Sequence, residues 1–319
     1  MSRMPKPLIA LLVGIGAAYG LLRISDHIDP YYLDVLTGVG INIILAVSLN
    51  LVNGYTGQFS LGHAGFMSVG AYASAALTLN LGPRLLGEDG GTAAQQGWLF
   101  LAALVVGGLG SALAGLVVGI PSLRLRGDYL ALVTLGFGEI IRVIIQNLDA
   151  LGGALGLNGI PPYTDVFWVF SVVALAVFTV TSLVNSTYGR GFLATHDDEI
   201  AAQAVGLNTT RYKIVAFVIG AFFAGIAGGL YGHFKLTITP AGFDFTKSIE
   251  IVVMVILGGM GNTPGVILAA ILLTVLPEVL RSVDQYRMIL YSLLLISLML
   301  VRPKGLFNFR YGRQKGTTP

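Results

Sequence analysis

Few side chains in this sequence have a type and spacing that could do chemistry. Glu139 and Arg142 lie three residues apart in the apolar run Tyr129 to Asn147, where a carboxylate and a guanidinium meet across one helical turn. Asp128 opens that run as an acid at a helix N-terminus should, and at 1.5 Å per residue Glu139 lies about 16 Å further along. A lone charge that deep in hydrocarbon costs about 2.5–3.5 kcal/mol or more. Two readings follow: Glu139 faces an aqueous route or gate, or its pair with Arg142 only pins helices. His63 could relay protons, but no chain of ionisable residues leads to it, and hydrogen-bonded packing serves equally well. His27, His196 and His233 show no ligand spacing and there is no cysteine, so neither a metal centre nor a thiolate nucleophile is expected. The zinc motif His-Glu-x-x-His, a pair of intramembrane catalytic aspartates and the phosphate loop ending Gly-Lys-Ser/Thr are all missing. No catalysis and no cofactor bound by this chain are expected.

Backbone groups are the better candidates. GYTGQFSLGHAGF, Gly54 to Phe66, sets glycines, hydroxyls, Gln58 and His63 between two apolar runs. Unwound backbone at membrane depth is tolerated only where it is buried in protein or lines a wet cavity, and broken helices in transporters offer freed N–H and C=O groups to solutes. The stretch is either a kinked segment beside a translocation path or a tight cytoplasmic turn with small residues for packing. On the first reading Asn50, Gly54, Gly57, Gln58, Ser60, Gly62 and His63 line the path with Glu139. A second stretch, LGGMGNTPG from Leu257 to Gly265, adds Gly258, Gly259 and Gly261. One glycine break in each half is the pattern an inverted repeat would leave. Asn42 and Asn50 serve helix bridging as readily as solute binding.

The elements that must position these groups follow from composition. Hydrophobic residues make up 55% of the 319 and charged residues 11%, against about 25% charged in soluble domains; mean hydropathy is +0.79. No soluble fold hides so much apolar surface. An all-α integral membrane protein is expected, its 43 glycines bringing helices close. A span needs about 20 apolar residues. Ten are placed: Pro7 to Ile24, Leu33 to Asn53, Phe59 to Leu81, Gly97 to Ile120, Tyr129 to Asn147, Val166 to Asn185, Ile214 to Phe234, Ser248 to Met260, Gly265 to Leu280 and Met288 to Val301. The eighth is short and glycine-broken, so it reads equally as a half-span. The first, Leu8 to Leu22 at its core, lacks a cleavage pattern and is taken as a retained helix.

With the N-terminus inside, twelve of the nineteen Lys and Arg residues fall on the cytoplasmic side, Arg124, Arg126, Arg190, Arg211 and Lys213 among them. The positive-inside rule favours that orientation, with both termini cytoplasmic. The net charge of +3 lies in short clusters between spans and is no signal for nucleic acid. Residues 1–319 form one transmembrane domain, and its longest polar interruption is the cytoplasmic loop 186–213. There Asp197, Asp198 and Glu199 start a short helix with Ile200, Ala204, Val205 and Leu207 on one face, ended by Gly206 and Asn208. Such a helix could carry force from a soluble partner, or be a solvated connection.

These blocks together resemble a known family. SLNLVNGYTGQFSLGHAGFMSVGAYASA (Ser48 to Ala75) is similar to permeases of ATP-binding-cassette importers for branched-chain amino acids. LRLRGDYLALVTLGFGEIIR, YGRGFLATHDDEIAAQAVGLNTTRYK, SIEIVVMVILGGMGNTPG and RPKGLF match in order, across nearly the whole chain. The length and LRLRGDYLA look like the LivM-type subunit. Glu199, Ala201, Ala202 and Gly206 resemble the Glu-Ala-Ala…Gly coupling motif, whose helix docks into a groove on the ATPase. GGALGLNGIP (Gly152 to Pro161) departs from the Thr-Gly-Gly-Pro-Asn-Gly-like run common in the family, which bears on binding-protein docking or substrate preference.

The resemblance implies a multi-pass subunit of the bacterial cytoplasmic (inner) membrane, surrounded by lipid. Its partners would be a second homologous permease, two cytoplasmic ATPases that hold ATP and Mg, and an extracytoplasmic solute-binding protein. Leucine, isoleucine and valine are the family's usual solutes; related permeases carry urea, short amides or other amino acids. The alternative from the residues is a stand-alone secondary transporter or channel using Glu139 and His63 as an ion path.

Overall fold

The computed structural model describes residues 6–25, 27–87, 91–122 and 128–281, with isolated positions 286, 289, 290, 292, 293, 296, 297 and 305. Arg124, Arg126, most of the tenth expected span and most of RPKGLF lie outside the described residues. Nine spans coincide with helices. In order they are α1 (Lys6–Ser25), α2 (Pro30–Asn50), α3 (His63–Leu86), α4 (Ala93–Ser122), α5 (Asp128–Gln146) and α6 (Val166–Val184). The loop helices α7 (Thr187–Asp197) and α8 (Glu199–Ala204) precede α9 (Thr209–Lys235), α10 (Phe245–Gly258) and α11 (Thr263–Val279). Among the described residues, five helical stretches are long and apolar enough to cross a bilayer by themselves: Pro30–Tyr55, Ala93–Ser122, Tyr129–Gln146, Val166–Val184 and Thr209–Lys235.

Local chemistry sets the ends. Asp29 caps α2 by accepting from Tyr31 N at 2.8 Å, with Pro30 in the first turn. Asn208, Asp244 and Asn262 cap α9, α10 and α11 in the same way. The loop 186–213 holds two helices rather than the single one expected: Asp197 ends α7, and Asp198 alone caps α8 by accepting from Ile200 N and Ala201 N. Gly189, Arg190 and Gly191 interrupt the apolar pattern of α7 and hide it from a hydropathy reading.

Inside the bundle α2 and α9 are largely buried, whereas α4 turns Leu101, Val105, Leu109, Leu113 and Val117 outward at every fourth position. A continuous outward leucine and valine stripe suits hydrocarbon and not water. The protein is an all-helical integral membrane protein; the only sheet among the described residues is the two-residue pair β1 (Leu157–Asn158) and β2 (Thr237–Ile238). Two loops 80 residues apart are thereby fixed at one end of the bundle, Leu157 opposite Ile238.

Helices α3, α4 and α9 meet through glycines. A methyl on Gly70 would land on the backbone of Gly225, and one on Gly107 would press on Gly70 O at 2.7 Å. Gly16 on α1 has nothing within 4 Å of such a methyl. Gly70→Ala is therefore expected to destabilise the detergent-solubilised protein by about 1–3 kcal/mol, the usual cost of overpacking. Gly16→Ala leaves the melting temperature unchanged or slightly raised. Thermal unfolding of the two variants side by side checks this.

Candidate functional site at the glycine breaks

Helix α2 does not end cleanly. Its last turn widens into a π-helical turn, Leu51–Tyr55, and residues 56–62 run unwound before α3 begins at His63. The unwound stretch folds back beside α2 rather than looping past its end, because His63 Nε2 lies 2.9 Å from Ser48 Oγ. Asn53 clasps it: Asn53 Oδ1 accepts from Ser60 N at 3.1 Å, and Asn53 Nδ2 donates to Ser60 O. On the far side Leu61 N donates to Thr134 Oγ1 at 3.0 Å, six residues or about 9 Å inside α5. Asn50, Asn53, Thr56, Gln58, Ser60 and His63 are all buried. So much polar surface is placed inside a helical bundle only at a cost, unless each group is bonded.

The second break meets the first. Gly261 N donates to Asn50 Oδ1 at 2.9 Å, and Tyr55 Oη lies 2.9 Å from Thr263 Oγ1. A methyl on Gly54 would strike both Asn50 Oδ1 and Gly261 N, so the two backbones approach as only glycine allows. Gly258 sits against Val266 at the start of α11, and Gly259, with φ +91°, ends α10. Gly305 packs onto Gly259. Three buried atoms of the first break have no hydrogen-bond partner among the described residues: Asn50 Nδ2, Gln58 Oε1 and Ser60 Oγ.

The helices leading into the two breaks run in the same direction. Lys247 Nζ, at the start of α10, donates to Asn42 Oδ1 at 3.4 Å, while Gly261, just past its end, bonds Asn50. Equivalent segments of an inverted repeat run in opposite directions. The two breaks are thus not related as an inverted repeat would relate them.

A chain of polar contacts joins the first break to the loop helices. Gln58 Nε2 donates to Thr56 Oγ1 at 2.8 Å and to Lys213 O at 3.3 Å. Lys213, buried near the start of α9, places its ammonium 2.7 Å from Glu199 Oε1 of α8. Thr209 Oγ1 donates to the same carboxylate oxygen at 3.3 Å and accepts from Gln203 Nε2 at 2.8 Å. The ring of His196, on α7, lies over Gly57, whose φ of +67° favours glycine. Ala202 packs inward, whereas Ala201, Gly206, Ile200 (68% exposed) and Val205 (78%) face outward.

Of the residues singled out in the sequence, Asn50 and Gly54 meet Gly261 directly, with Gly258 and Gly259 just before it; Gly57 packs under His196, Gly62 packs on Thr134 of α5, and Gln58, Ser60 and His63 are held within or beside the first break. Glu139 does not join them. Arg142 Nη2 lies 2.7 Å from its Oε2, and both side chains are about a third exposed. Asn53, Thr134 and Lys213 were not singled out. Asn53 has the plainest signal, an amide one residue before the first glycine. Lys213 looked like a loop base counted for orientation, and nothing in the sequence ties it to Gln58.

A glycine-broken helical bundle with a helical loop tied to its breaks is the build of a transport permease. The family described as branched-chain amino acid transport system / permease component matches residues 31–301, and the chain belongs to that family. It is 37% identical over 309 residues to the high-affinity branched-chain amino acid transport system permease protein LivM of Salmonella typhimurium (strain LT2), covering 86% of this chain and 69% of that one. The LivM of Escherichia coli (strain K12) is equally similar, at 37% over the same shares. The high-affinity branched-chain amino acid transport system permease protein LivH of the same strain is 27% identical over 83% of this chain and 90% of its own. No solved structure matches.

Proposed function

We propose that this chain is the membrane-spanning subunit of an ATP-binding-cassette importer for branched-chain amino acids, and that ATP hydrolysis on partner ATPases drives its conformational cycle. The chain makes ten spans in the bacterial cytoplasmic membrane, with both termini inside. It pairs with a second homologous permease and two ATPases carrying ATP and Mg, and receives solute from an extracytoplasmic binding protein. Residues 1–319 act as one domain whose loop 186–213 meets the ATPase. Glu199, Ala201, Ala202 and Gly206 form the coupling helix, and its outward Ile200 and Val205 supply the apolar contact.

The observation that carries this reading is the link Glu199–Lys213–Gln58 between α8 and the first break. A push on α8 reaches the first break through one ion pair and one side-chain amide. The three unpartnered atoms of the first break suit a second arrangement, in which they meet water or solute. Two packed states of such an element, biased from one end, are what alternating access requires. The test is uptake of labelled leucine into proteoliposomes. The chain alone is inert, whereas the full assembly with ATP inside and binding protein outside accumulates leucine. Leucine exchange down a gradient by this chain alone contradicts the reading and favours the stand-alone carrier.

A further inference from the structure

Away from the breaks, a cavity of about 330 Å³ opens between α2, α9, α10 and α11, at the lower end of the size of small-ligand clefts. Its mouth is at the N-terminal end of α2 and the C-terminal ends of α9 and α11, the extracytoplasmic end in the orientation proposed above. Its polar groups are layered. Deep inside, Lys247 Nζ donates to Asn42 Oδ1 at 3.4 Å and to Glu250 Oε2 at 2.9 Å, and Asn42 Nδ2 donates to Thr274 Oγ1 at 2.9 Å. Asn42 is twelve residues along α2, about 18 Å from its start. One turn outward on α11, about 6 Å from the Thr274 level, Glu278 Oε2 accepts from Tyr31 Oη at 2.7 Å. Asp34 and Lys235 flank the mouth 3.6 Å apart. The wall between is apolar, with Val35, Ile41 and Met67.

We propose that this cavity is an α-amino-acid site of the permease itself, with Lys247 as the carboxylate anchor, Glu278 as the ammonium anchor and the apolar wall against the side chain. The inference rests on the importer reading and adds a recognition site to it. A cation placed that deep is costly unless it is paired or wetted. Lys247 is both, since it is held by Glu250 and Asn42 yet lines the cavity. The ammonium has three donors, and the contacts described use two. Among the described residues, Lys235, Lys247 and Arg281 line the cavity with Asp34 and Glu278, and Glu250 pairs with Lys247 beside it. Groups of both signs at separate levels suit a dipolar solute, with Lys247 deep and Glu278 one turn outward. The site places the backbone end of an α-amino acid between the Lys247 and Glu278 layers, with a hydrogen bond of about 2.9 Å at each side. Gly38 keeps the space open, since a Cβ there finds only Thr274 Cγ2, at 3.9 Å.

The test is equilibrium binding of tritiated leucine to the assembled transporter in nanodiscs without binding protein, alongside ATP-driven leucine uptake. Leucine should compete fully, while leucinamide and 4-methyl-2-oxopentanoate, each lacking one charged end, should compete weakly. Lys247→Gln and Glu278→Gln should each weaken binding about tenfold or more, as loss of a charged hydrogen bond implies, and Lys247→Arg should retain most of it. Gly38→Leu fills the cavity without touching a charge and should abolish binding in an assembly of normal size and melting temperature. It decides the matter if the charge variants fail to assemble. Unchanged leucine binding in Gly38→Leu, equal competition by the two one-ended analogues, or no leucine binding by the wild-type assembly while it still takes up leucine overturns the site and leaves the importer reading intact. No ATP-driven uptake by the wild-type assembly overturns both.

Discussion

Glu199→Ala should abolish ATP-coupled uptake while the chain still inserts into the membrane and assembles with its partners. Its carboxylate lies 2.7 Å from Lys213 Nζ, and the two side chains are only 23% and 9% exposed. Removing one partner of a largely buried pair costs about 3–5 kcal/mol, because the other charge stays buried. Spent on the coupling step, about 3 kcal/mol is more than a hundredfold in rate. The same carboxylate accepts from Thr209 Oγ1, so the hinge between α8 and α9 loosens with it. Gly206→Val should act in the same direction by another route. Gly206 has φ +86° just after α8, a left-handed conformation that costs a residue with Cβ about 1–2 kcal/mol, and more for a β-branched one. Nothing lies within 4 Å of a Cβ at that position, so any loss comes from the turn and not from a clash. Leucine accumulation in proteoliposomes, with ATPase binding scored separately, measures both variants. Normal uptake in both contradicts the role given to α8.

The second large effect falls on the contact between the breaks. Gly54→Ala should lower stability by about 1–3 kcal/mol through forced backbone movement, with about 1 kcal/mol more if the Asn50–Gly261 hydrogen bond is lost. Leucine uptake should fall to background. Asn50 Oδ1 and Gly261 N both occupy the space a methyl would take, so neither break can yield without moving the other. A protein that melts as the wild type does and transports normally as Gly54→Ala would mean that the two breaks move freely past each other.

The long apolar runs were readable because hydrocarbon demands about 20 consecutive apolar residues, whatever the tertiary packing. The nine described spans accordingly begin and end within a few residues of α1 to α6 and α9 to α11. The glycine stretches were readable as unusual for the same reason: Gln58, Ser60 and His63 have no business among leucines unless they are bonded. What they bond to was not readable. Gly54 and Gly261 are 207 residues apart, and no local pattern encodes a contact between backbones at that distance. Lys247 and Glu278 were hidden because a charge at the edge of an apolar run looks like an interfacial anchor. Only the packing of α10 beside the middle of α2 sets Lys247 deep. Glu139 was conspicuous by depth alone, and in the structure it pairs with Arg142 one turn along α5.

The sequence contains no cysteine, so a single introduced thiol is the only one that labelling of this chain can report. Ser60 is 1% exposed and its Oγ has no partner, which makes Ser60→Cys a nearly isosteric probe of the first break. In the assembled transporter, a membrane-impermeant maleimide should label this thiol in one nucleotide state of the ATPases and leave it protected in another. The same labelling rate with and without ATP would mean that the break does not open during transport.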